Sequence, residues 1–225
     1  MEKLISAEKL IADFTREALG LNARITNINN GSLIATTGNS PRFAVMSGVH
    51  GDERSGPLAI VEWVKENKKK IKQGKFEFWF MPLLNIRGWN ENKRNSGLYN
   101  PNREFFKSTK LTFLKPVMDS LAEKAPLVFI DLHEDSTEKE PYFWKFKEEK
   151  PRLADYLASG FNVETYPWEW DYYRNGKISS DEFVRKLGCN ETVTTEIHPD
   201  EPLEKRIKFQ MRCIDLGLDY ANKLI

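Results

Sequence analysis

The sequence predicts an α/β fold, one mixed β-sheet sandwiched between helices in three layers. Two observations predict it. Short apolar runs, β-branched or aromatic, recur at lengths suited to buried strands: Phe43–Ser47, Phe76–Leu84, Leu127–Leu132 and Thr192–Ile197. Stretches with helical spacing of apolar residues alternate with them, as strands and their crossover helices do. The chain has 225 residues, 40% hydrophobic and 30% charged, which suits one domain over 1–225 with a sizeable core. There is no internal repeat, low-complexity segment or linker.

In order, residues 6–19 read as a helix capped by Ser6, with Leu10, Ile11, Phe14, Ala18 and Leu19 as its apolar stripe and Gly20 as its stop. Ala23–Ile28 and Ser32–Thr36 read as two strands joined by a hairpin at Asn29-Asn30-Gly31. Phe43–Ser47 is the next strand. Residues 55–72 read as one helix ending in Lys68-Lys69-Lys70, where cations suit the helix dipole. Phe76–Leu84 follows as a strand. Residues 85–106 lack periodicity and read as a long functional loop, since its aromatics (Trp89, Tyr99, Phe105, Phe106) argue against disorder. Thr109–Lys124 reads as a helix bent at Pro116, and Leu127–Leu132 as a buried strand. Then come a short apolar run at Tyr142-Phe143-Trp144, a helix near 151–159, and an aromatic cluster from Tyr166 to Tyr173. A short helix over Asp181–Leu187, the Thr192–Ile197 strand and a closing helix over 201–222 complete the chain.

The charges nearly balance, 34 basic against 33 acidic, so nothing calls for nucleic acid or an anionic membrane as partner. Cys189 and Cys213 have no metal-knuckle spacing and are too few for a disulfide framework. The first residues, MEKLISAEKLIADF, are charged throughout, and no run approaches transmembrane length. The expectation is a cytoplasmic protein.

Chemistry concentrates at strand ends. His50 and Glu53 lie just past the carboxyl end of Phe43–Ser47, the edge at which α/β sheets bind ligands. An imidazole and a carboxylate three residues apart can turn toward one point, half of a zinc site with two histidines and a glutamate. His133, one of only three histidines, follows the Leu127–Leu132 strand in the same way. Asp131 or Glu134 could accept the second N–H of a ligating histidine. Glu196 sits inside an apolar and threonine strand, where a lone carboxylate is costly and needs a partner. Glu191 competes with it and reads as an exposed loop carboxylate.

These residues resemble the zinc carboxypeptidase superfamily, the M14 metallopeptidases, whose deacylase branch includes aspartoacylase and succinylglutamate desuccinylase. His50-Gly51-Asp52-Glu53, Asn100 to Phe105, Asp131-Leu132-His133 and Thr195-Glu196 occur in that family's order, across about residues 40–200. The resemblance implies a three-layer phosphorylase/hydrolase-like fold and one Zn2+ held by His50, Glu53 and His133. It implies Asn102-Arg103 as the grip on a substrate carboxylate, Arg94 as the group that polarises the scissile carbonyl, and Glu196 as general base. The tyrosine that covers the substrate in that family has candidates in Tyr172 and Tyr173, with Tyr166 also in position. The chain is shorter than the digestive carboxypeptidases, and its loop from Arg94 to Arg103 is compressed.

The expected activity is that of a zinc metallocarboxypeptidase acting on a peptide with a free carboxylate. The alternatives are a deacylase acting on an N-acyl amino acid and a non-catalytic zinc- or ligand-binding module.

Overall fold

The computed structural model describes residues 5–28, 33–38, 40–146, 152–168 and 177–225. Among these, one eight-stranded sheet runs in the order β1-β2-β4-β3-β5-β8-β6-β7. Its strands are β1 (Arg24–Asn27), β2 (Leu33–Thr37), β3 (Arg42–Ser47), β4 (Glu77–Met81), β5 (Val128–Glu134), β6 (Tyr142–Phe146), β7 (Thr165–Trp168) and β8 (Glu191–Ile197). The four central strands, β4, β3, β5 and β8, are parallel. β1 and β2 form an antiparallel pair at one side, and β6 returns antiparallel to β8 at the other. The sheet is therefore mixed, as expected.

Alternation along the central strands divides the core into two layers. Phe43, Val45, Phe78, Phe80, Val128, Ile130 and Val193 face one way. They pack against α1 (Ala7–Leu19), α2 (Ser55–Glu66), α3 (Lys68–Gln73), α6 (Leu153–Phe161) and α8 (Leu203–Asn222). Ala44, Met46, Trp79, Met81 and Phe129 face the other way, against α5 (Leu114–Glu123) and α7 (Ser180–Lys186).

The structure corrects several element boundaries. The helix expected over 55–72 is two helices. Asn67 breaks it, because its side-chain amide donates to Trp63 O at 2.9 Å and its backbone leaves helical geometry (φ −106°, ψ 21°). The helix expected from Thr109 begins at Leu114, so Pro116 lies in the first turn, where its missing N–H costs nothing and no bend follows. β4 stops at Met81 rather than Leu84, since Pro82 has no N–H for the ladder. The expected long loop contains α4 (Ile86–Glu91) and a 3-10 turn over Pro101–Arg103. Asn85 makes α4 possible by accepting from Gly88 N at 2.9 Å and donating to Arg94 O at 3.2 Å. Glu191 is no loop carboxylate: it opens β8, bonded by Tyr220 Oη at 3.0 Å and paired with Arg152 at 3.4 Å.

The chain leaves β3 for β4 on one side and then crosses to β5 on the other. Strand order thus reverses at β3, and the segments following β3, β4 and β5 all emerge at the same carboxyl edge. Such a switch point is where open α/β sheets bind ligands.

Candidate metal centre

Three segments deliver the site. The turn after β3 carries His50 and Glu53, and it is held down from outside. Gly51 lies so close to α4 that a Cβ there would stand 2.0 Å from the Gly88 carbonyl carbon, and Gly51 N donates to Arg94 O at 3.3 Å. β5 carries Asp131 and His133 on the face of Phe129. β8 carries Glu196, whose Cα is the direct ladder partner of His133. Aligned residues of parallel strands point to one face, so Glu196 stands beside His133. Thr195, one residue earlier, points the opposite way and donates to Gln210 of α8 at 2.7 Å.

The Glu53 carboxylate is the meeting point. His50 Nδ1 lies 2.6 Å from Glu53 Oε1, and His133 Nδ1 lies 2.8 Å from Glu53 Oε2. Arg94 Nη1 donates to Glu53 Oε1 at 2.8 Å. His50, Glu53 and His133 are all buried, and one ligand atom from each falls within 4.8 Å of the others. The far nitrogens of both rings face side-chain oxygens. His50 Nε2 is 2.9 Å from Asn100 Oδ1, and His133 Nε2 is 2.9 Å from Asp131 Oδ2.

Electrostatics at this point are strong. Burial alone would raise the Glu53 carboxyl, but the two imidazoles outweigh it and hold the group well below the usual carboxylate range. Burial alone would lower His133, but the Asp131 and Glu53 carboxylates outweigh it and raise the imidazole well above its ordinary value. Burial pushes Glu196 well above the carboxylate range, and Glu53 and Asp135 add to this against the opposing pull of His133 and Arg94. Glu196 Oε2 is buried without a hydrogen-bond partner.

Of the remaining expected residues, Arg94 is half-exposed and reaches the site. Asn102 is buried at its edge: its Oδ1 accepts from Ser180 N at 3.0 Å, and its Nδ2 lies 3.4 Å from His133 Nε2. Arg103 donates to Asn102 O at 2.6 Å. Tyr166 lies on β7 with its ring 5.0 Å from that of Tyr142, which is itself the ladder partner of Glu196. Tyr172 and Tyr173 lie outside the described residues. Glu134 does not back a histidine. It points to the opposite face, where it accepts from Ser55 N at 2.6 Å and from Arg206 at 2.5 Å. Sequence reasoning missed Asn100, Ser180 and Tyr142. Asn100 adjoins the Asn102-Arg103 pair and could have been found there, whereas nothing local marks the other two.

No protein-family model matches the sequence, and no curated protein matches it. Solved structures do. A metallo-carboxypeptidase from Burkholderia cenocepacia superposes with a TM-score of 0.79 over 98% of this chain and 70% of its own, at 15% identity. A metallo-carboxypeptidase from Pseudomonas aeruginosa, in complex with (2-guanidinoethylmercapto)succinic acid, gives 0.76 over 98% and 70%, also at 15% identity. Bovine thrombin-activatable fibrinolysis inhibitor, in complex with tick carboxypeptidase inhibitor, gives 0.72 over 100% and 99% at 12% identity.

The fold is that of the metallo-carboxypeptidases.

In this carboxypeptidase fold, the donor set fits a divalent cation on chemical grounds. With Nε2–H of each ring donated to Asn100 or Asp131, the imidazoles, once a cation displaces any proton from Nδ1, turn both Nδ1 lone pairs onto one carboxylate. Lone pairs and an anion at these distances repel, and the Arg94 guanidinium offsets this only at Glu53 Oε1, so a cation among Oε2 and the two Nδ1 atoms satisfies the set. Glu53 Oε2 is buried and faces His133 Nδ1 at 2.8 Å, and no other donor among the described residues bonds it. Two nitrogens and a carboxylate oxygen form a set that a borderline cation accepts.

Proposed function

We propose that the protein is a zinc-dependent metallocarboxypeptidase that hydrolyses the amide bond next to a free carboxylate at a peptide C-terminus. The observation that carries this reading is the pairing of His133 with Glu196 across β5 and β8, beside a Glu53 carboxylate on which both histidines converge. His50 Nδ1, Glu53 and His133 Nδ1 would hold the zinc. Bound there, zinc supplies Lewis acidity that polarises a carbonyl and makes water acidic enough to attack it.

The chain's own residues do the rest. Glu196 takes the proton of the attacking water on its free carboxylate oxygen and delivers it to the leaving amine. A carboxyl raised by burial suits both halves of that transfer. Arg94, always charged and half-exposed, offers donors to the developing oxyanion. Arg103 takes the substrate carboxylate in a two-pronged grip. Asn102 braces Arg103 through its carbonyl. Tyr172 and Tyr173 are the residues proposed to close over the substrate.

Mass spectrometry of a peptide pool and of N-acyl amino acids, each incubated with zinc-loaded protein, tests the reading. Loss of single C-terminal residues supports it. Cleavage of N-acyl amino acids with peptides untouched replaces it with a deacylase. Zinc retained with neither substrate cleaved leaves a binding module.

A further inference from the structure

We infer that Ser180, in the first turn of α7, is a positioning residue for the metal centre and acts through Asp131 on His133. This rests on the metal reading above. A neutral imidazole has a single N–H, and which nitrogen bears it decides which can bind a cation. His133 must keep its proton on Nε2 for Nδ1 to face Glu53 as a ligand. Asp131 Oδ2 is the acceptor that holds it there, at 2.9 Å. The Ser180 hydroxyl donates to that same oxygen, while Asp131 Oδ1 has no hydrogen bond. Both donors therefore gather on one oxygen and fix the carboxylate's rotation. Asp131 and Ser180 are fully buried, so this arrangement is shielded from competing solvent.

Helix capping does not account for the Ser180 hydroxyl. The cap position of α7 belongs to Ser179, whose own hydroxyl donates to Asp181 at 2.5 Å. The Ser180 backbone is tied as well, its N–H donating to Asn102 Oδ1 at 3.0 Å. Through one residue, the start of α7 is bonded both to β5, which carries His133, and to the segment after β4, which carries Asn102 and Arg103. The other histidine has a weaker arrangement: His50 Nε2 faces the neutral amide oxygen of Asn100. An anionic acceptor raises the basicity of the ring it holds, so His133 is the stronger of the two ligands, and Ser180 holds the Asp131 carboxylate in the orientation that meets it.

The test is the zinc dissociation constant, measured by competition with a chromophoric chelator, for wild type, Ser180→Ala, Ser180→Thr, Ser179→Ala and Asp131→Asn. Circular dichroism of each metal-free protein checks the fold. Loss of an outer partner of a ligating histidine weakens metal binding about 10- to 100-fold, so Ser180→Ala and Asp131→Asn should fall in that range. Ser180→Thr, which restores the hydroxyl, should recover most of the affinity, and Ser179→Ala should bind like wild type. Equal zinc affinity in wild type and Ser180→Ala, or an equal loss in Ser179→Ala, overturns the inference while leaving the metal reading intact. Should Ser180→Ala not fold, Asp131→Asn with wild-type affinity overturns it in the same way. A wild type that takes up no zinc overturns both.

Discussion

His133 and Glu196 are opposite residues of a parallel ladder, a buried imidazole beside a buried carboxylate with one oxygen unbonded. They are 63 positions apart in sequence, and only the pairing of β5 with β8 makes them neighbours. Under the proposed function the pairing also separates their tasks. His133 turns Nδ1 toward Glu53, whereas Glu196 accepts no hydrogen bond at Oε2 and is free to exchange a proton.

That separation predicts different phenotypes for the two residues. Glu196→Gln should retain zinc, measured by elemental mass spectrometry, while kcat falls by about 10²- to 10⁴-fold, the usual contribution of a positioned acid–base group. His133→Ala should lose the zinc itself. Equal zinc loss in both variants would place Glu196 among the ligands instead.

Behind the site, Glu134 bonds Arg206 of α8 and the backbone N–H of Ser55, clamping two helices to the end of β5. Arg206→Ala leaves this buried carboxylate without its cation. Breaking a buried pair from one side costs about 3–5 kcal/mol, and urea unfolding should show a loss of that order. A loss under about 1 kcal/mol, the value of a surface pair, would mean that solvent reaches Glu134.

Gly51→Ala tests how the turn between His50 and Glu53 is held. An added Cβ would collide with the Gly88 backbone at 2.0 Å, and neither partner is the end of a flexible side chain. Overpacking costs about 1–3 kcal/mol, so the melting temperature should drop together with zinc affinity. A variant as stable as wild type would show that α4 can move aside.

Asp181 makes the folded state sensitive to pH. Burial pushes its carboxyl above the unfolded value of 3.8, against the lowering effect of the Ser179 hydroxyl bond. The folded protein therefore holds this proton longer than the unfolded chain. The contribution of Asp181 to stability is greatest below 3.8 and declines as pH rises through its folded pKa. Asp181→Asn keeps the oxygen that Ser179 and Glu182 N bond and cannot ionise. Its stability relative to wild type should grow as pH is raised through the acid range in urea titrations, and a constant difference would reject the assignment.

Much of the fold is legible in the sequence because its causes are local. The run Phe43-Ala44-Val45-Met46 has no place but a strand buried on both faces, and it is one. Ser6 caps α1 as its position suggests, accepting from Lys9 N at 3.3 Å. The six-residue α4 was hidden because it is too short to show an apolar period, and the break at Asn67 because a side-chain hydrogen bond, not composition, makes it.

The sequence by itself determined that His50, Glu53, His133 and Glu196 follow or end apolar strands. Spacing within a few residues is enough for that, since backbone geometry carries it. Only the tertiary structure decided that β3 lies between β4 and β5, that Glu196 is opposite His133, and that Asp131, bonded by Ser180, faces the far nitrogen of the His133 ring. Strand order and ladder register are chosen by burial summed over segments distant in sequence, and no local pattern encodes that sum.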